Sequence, residues 1–65
     1  MEYFRLLDTV RNGTIVRADG PIQHEYVPGE GWVRSGVMME YFNDESEFYD
    51  AYQEISESEA KAITG

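Results

Sequence analysis

Sixty-five residues with thirteen acidic groups against five lysines and arginines, a formal charge of −8, allow one domain and no more. The chain has no cysteine and therefore no disulfide or thiolate metal site, and a domain this small buries only roughly 60% of its unfolded surface, so a deep substrate cavity would compete with the core for side chains. No apolar run approaches the roughly 20 residues of a membrane span, and the N-terminus lacks a signal peptide's basic and long apolar regions, which points to a cytoplasmic protein with no membrane partner.

Tyr3-Phe4-Arg5-Leu6-Leu7 suits a first strand, with either Leu6 or Leu7 inward according to register. Asn12-Gly13 predicts a type I′ hairpin turn returning through the β-branched run Thr14 to Ala18. Asp19-Gly20-Pro21 is a turn, and Ile22 to Val27 reads as a third strand with Ile22, His24 and Tyr26 on one face. Pro28-Gly29 is a type II turn signal, because proline presets the first central angle and glycine accepts the positive one. A short fourth strand, Trp32 to Arg34, follows, with Trp32 expected as the large aromatic anchor of the core.

Ser35 is expected to cap a helix ending at Phe42, in which Val37, Met38, Tyr41 and Phe42 form an apolar stripe at the 3.6-residue period. Asn43 is expected to end that helix in the left-handed conformation. Ser46 to Asp50 reads either as a turn capped by Ser46 or as an irregular loop, and Tyr52 to Ile55 as a last strand. Ser56 and Glu59 have capping-box spacing ahead of a terminal helix from Glu57 to Ile63, with Ile55 and Ala60 placed for a hydrophobic staple. The fold class is α+β: a small antiparallel sheet of three to five short strands with two short helices, residues 1–65 forming one compact domain without a linker. Phe4, Leu6, Ile15, Trp32, Val37 and Tyr41 are the expected core.

The succession Asn12-Gly13-Thr14-Ile15-Val16, Glu25-Tyr26-Val27-Pro28-Gly29-Glu30-Gly31-Trp32-Val33, Tyr41-Phe42 and Glu54-Ile55-Ser56-Glu57-Ser58-Glu59-Ala60 resembles that of short uncharacterised bacterial or phage-associated single-domain proteins. The resemblance implies one α+β domain from end to end and carries no activity onto any residue.

Chemical machinery is sparse. There is no glycine-rich phosphate loop with its lysine and no histidine pair, and His24 and Glu25 point to opposite faces of a strand. Asp44, Glu45, Glu47 and Asp50 lack the glycine and terminal glutamate of a calcium loop. No catalytic, cofactor-binding or metal-binding residue is therefore assigned, and no enzyme activity is expected. The charge is uneven: the first 34 residues are close to neutral, whereas residues 35–65 hold eight acids against Lys61 alone. Such a field disfavours nucleic-acid binding, even through Arg5, Arg11, Arg17 and Arg34, and favours a basic protein. The expected role is a small acidic protein-interaction or accessory domain contacting its partner through Asp44, Glu45, Glu47, Phe48, Tyr49, Asp50 and Tyr52. A homo-oligomeric structural protein and a nucleic-acid mimic that inhibits a basic protein are the alternatives.

Overall fold

The computed structural model describes residues 1–65 as five strands and two helices. In chain order these are β1 (Glu2–Leu6), β2 (Ile15–Asp19), β3 (Ile22–Val27), β4 (Gly31–Arg34), α1 (Met38–Phe42), β5 (Tyr52–Ile55) and α2 (Glu57–Thr64). One antiparallel sheet takes the order β4-β3-β2-β1-β5, so four strands meander and the fifth returns beside the first. The α+β class holds, with all five strands present.

Turn chemistry sets the meander. Asp19 pairs with Ile22, leaving Gly20-Pro21 as a two-residue turn in which Gly20 takes φ +60° and the proline ring supplies the negative angle that follows. At Pro28-Gly29 the Glu30 amide donates to the Val27 carbonyl at 2.9 Å and Gly29 sits at φ +88°, the type II turn the dipeptide predicts. Asn12-Gly13 departs from expectation. Gly13 alone takes a positive φ, and the two residues close a turn at the end of a longer connection from Leu7 to Thr14. Asn12 instead donates its side-chain amide to the Leu7 carbonyl at 3.2 Å, tying the two ends of that loop together.

The pleat sends alternate residues into two separate cores. On one face Phe4, Leu6, Val16 and Ala18 lie beneath Met38 and Tyr41 of α1. On the other, Ile15 and Ile55 are covered by Ala60 of α2, with Tyr3, Tyr26 and Trp32 packed alongside. Leu6 is fully buried and Leu7 is exposed, which settles the register of the first strand. The expected Trp32 anchor is half-buried at the margin of the smaller cluster, because β4 is an edge strand and α2 reaches only the other end of that face. Tyr41 and Met38 take the central place, and Val37 is half-buried beside them.

Helix α1 begins later than its sequence suggests. The Ser35 hydroxyl accepts the Val37 amide at 3.2 Å ahead of the helix, and Val37 at the cap position makes no side-chain bond. The Met38 amide is met from the sheet, by the side-chain oxygen of Gln23 on β3 at 3.1 Å. Asn43 ends the helix extended, at φ −90°, and not left-handed. Its side-chain oxygen accepts the Glu45 amide at 3.0 Å, a local bond that asparagine makes from an extended backbone. In α2 both halves of the capping box form, and the helix extends one residue past the expected Ile63.

Candidate functional site

The acidic segment after α1 is an ordered loop. Ser46 and Tyr49 donate amides to the carbonyls of Asn43 and Ser46, Asp50 donates to Tyr41, and Ala51 to Phe48, all at 3.0–3.1 Å. The Ser46 hydroxyl accepts the Phe48 amide at 3.1 Å, and the Leu7 amide ties Ala51 to the end of β1 at 2.8 Å. Asp50 is the one non-glycine residue with a positive φ, 63°, a conformation that aspartate tolerates better than most side chains.

This scaffold separates the seven expected contact residues into two groups. Asp44, Glu45, Glu47, Tyr49 and Asp50 are exposed. Phe48 stacks on Tyr41 with ring centroids 5.6 Å apart and lies under the Arg11 guanidinium at 5.4 Å. Tyr52 meets Phe4 and Phe42 edge-on, each at 5.4 Å. Phe48 and Tyr52 thus hold the loop against the core, and Tyr49, 52% exposed, is the aromatic left for a partner. Burial, together with the negative charge of Asp50 close by, pushes the Tyr52 hydroxyl above its ordinary pKa.

Beneath the loop lies a polar knot. Tyr41 donates its hydroxyl to Asp8, while Arg11 reaches the same hydroxyl at 3.4 Å and Glu40 at 3.2 Å. Burial acts to raise the Asp8 pKa, but hydrogen bonds from Tyr41 and from the Arg11 and Val10 amides outweigh it, and the carboxyl lies below its ordinary value. Burial, reinforced by the bond to Asp8, raises the Tyr41 hydroxyl. The knot fastens the β1–β2 loop to α1.

The α2 side of the sheet carries a second grouping that the sequence reading scattered over separate strands. Arg34, His24, Arg17 and Tyr3 are direct cross-strand partners in one row over β4, β3, β2 and β1. Arg17 sits 4.4 Å from the Trp32 ring, and Tyr26 and Tyr3 meet that ring edge-on at 5.4 and 6.5 Å. Arg5 is on the same face and donates to the Gln53 side chain at 2.8 Å, whereas Arg11 belongs to the knot. Strand alternation and register were the signal: Tyr3, Arg5, Arg17, His24 and Arg34 share a face that becomes visible only when the pairings are known.

A shallow, open groove between the Asn12-Gly13 turn, Pro28 and Ile63 has no charged group in its lining. No three side chains of the His, Cys, Asp and Glu type come together in a geometry that could hold a metal ion, and no helix is long and apolar enough to cross a membrane. No protein-family model, no curated protein and no solved structure matches the chain.

Proposed function

We propose that this chain is a small protein-interaction or accessory domain without catalytic activity, and that it docks a basic protein through the loop from Asn43 to Ala51. The reading rests on one observation: Asp44, Glu45, Glu47, Tyr49 and Asp50 are all exposed on a loop already fixed by backbone and side-chain hydrogen bonds. A loop ordered before binding has little conformational freedom left to lose, and tyrosine brings a large contact area with few rotatable bonds. The carboxylates around it would speed encounter with a basic surface and reject acidic ones.

The apolar stripe of α1 supports self-association less well, because Met38 and Tyr41 are fully buried against the sheet. Crosslinked capture from cell extract at low salt, comparing the native chain with a variant in which Asp44, Glu45 and Glu47 are changed to lysine, tests the proposal. The native chain is expected to retain a basic protein that the folded variant loses, with Tyr49→Ala weakening capture by itself. Equal capture by native and reversed chains would remove the loop from the interaction.

A further inference from the structure

Acids outnumber lysines and arginines thirteen to five, yet the ion pairs are only two, Arg11–Glu40 at 3.2 Å and Lys61–Glu57 at 3.3 Å. Arg5, Arg17 and Arg34 have no carboxylate partner, and alternation puts all three on the α2 side of the sheet. Of the strand carboxylates only Asp19, at the turn end of β2, shares that face. On α2 Glu57 is paired with Lys61 and Glu59 engaged with Ser56 in the capping box, and Glu30 lies in the turn before β4. In so acidic a chain, chance placement would leave unpaired carboxylates and few unpaired arginines. Here Arg34 is exposed at the open edge of the sheet, in line with His24 and Arg17.

The backbone of that edge is available in a definite phase. The Ser35 amide donates to the Gln23 carbonyl at 3.0 Å, and antiparallel alternation therefore turns the peptide groups of Val33 inward to β3 and those of Trp32 and Arg34 outward. The residues with outward-facing donors and acceptors are thus the same two whose side chains lie on the arginine-bearing face.

We propose that the β4 edge takes an acidic peptide as a sixth strand, with a carboxylate side chain opposite Arg34 and an apolar side chain opposite Trp32, two residues away. Main-chain bonds to Trp32 and Arg34 supply the pairing, and the alternate side chains supply the selection. A single-stranded nucleic acid fits less well. A net charge of −8 repels a run of phosphates more than it repels a few carboxylates, and the Trp32 ring is a single aromatic already in contact with Arg17, Tyr26 and Tyr3, not a row on which successive bases stack. A second copy would add its own edge strand β5 through the outward-facing peptide groups of Tyr52 and Glu54, but two chains of charge −8 repel each other more than one chain repels a short peptide. A sedimentation coefficient rising with concentration and lost in Arg34→Glu would overturn the peptide proposal in favour of self-pairing.

Trp32 is the only tryptophan, so its emission reports on the site directly. The native chain is titrated with a peptide repeating Thr-Glu-Thr-Val, with its Thr-Lys-Thr-Val counterpart, and with oligothymidylate. A saturable change is expected with the glutamate peptide only, weakened roughly tenfold by Arg34→Glu and left unchanged by Lys61→Glu on the far helix. N-methylation of the peptide's pairing amides is expected to abolish it. Equal response to the lysine peptide, an unaltered response in the folded Arg34→Glu variant, tighter binding of oligothymidylate, or no response to the glutamate peptide would each overturn the proposal.

Discussion

The hydroxyl of Tyr41 stands between the Asp8 carboxylate and the Arg11 guanidinium, on a side chain that is otherwise wholly enclosed. Its contribution to stability should be bounded in pH on both sides. Asp8 titrates lower in the folded chain than in the unfolded one, so its share is full above the ordinary carboxylate value of about 3.9 and is lost as pH falls through the folded value. Tyr41 titrates higher when folded, so its share is full below about 10 and is lost as pH rises through the folded value. Tyr41→Phe is expected to cost about 1–2 kcal/mol at neutral pH and to flatten both limbs, as read from urea midpoints across the pH range. An unchanged acid limb would mean that Asp8 draws its low value from the Val10 and Arg11 amides alone. Truncation of the two expected core residues should separate them clearly. Leu6→Ala, at a fully buried position, is expected to lose about 2–5 kcal/mol. Trp32→Ala, at a half-buried one, should lose less than Leu6→Ala in the same denaturation series, and the reverse order would restore Trp32 as the anchor.

At the scale of elements, what could be read from the sequence was whatever local chemistry determines. The Pro28-Gly29 turn, the alternation of Ile22, His24 and Tyr26, the last strand from Tyr52 to Ile55, and the Ser56–Glu59 capping box each depend on residues a few positions apart, and each forms as expected. The start of α1 was misread because its amides are met from a distance: Gln23 on β3 serves Met38, so Ser35 need not be the cap. Asn12-Gly13 marked a hairpin correctly but not its type, since the Asp8 and Asn12 side chains organise a loop longer than two residues. Within the candidate loop, the exposed acids and Tyr49 were legible. The inward turn of Phe48 and Tyr52 was not, because it depends on where Tyr41, Phe4 and Phe42 come to rest.

For the whole molecule, charge is the controlling quantity. Acids crowd the second half of the chain, and the Lys61–Glu57 pair, exposed on α2, offsets little of their mutual repulsion. Screening should therefore stabilise the fold: the melting temperature is expected to rise between low salt and roughly 0.5 M sodium chloride, where the screening length is only a few ångströms. A fall would show instead that attraction at the Arg11–Glu40 contact outweighs the repulsion.

The ladder between β1 and β5 has a mechanical consequence. Tyr3 faces Ile55 and Leu6 faces Tyr52, so β1 begins at the end of the ladder where β5 finishes. Tension applied between the first and last residues would, once α2 has peeled away, load the Tyr3–Ile55 pair first and then each pair in turn. The sheet would open like a zipper under modest force and would not resist as a block in shear.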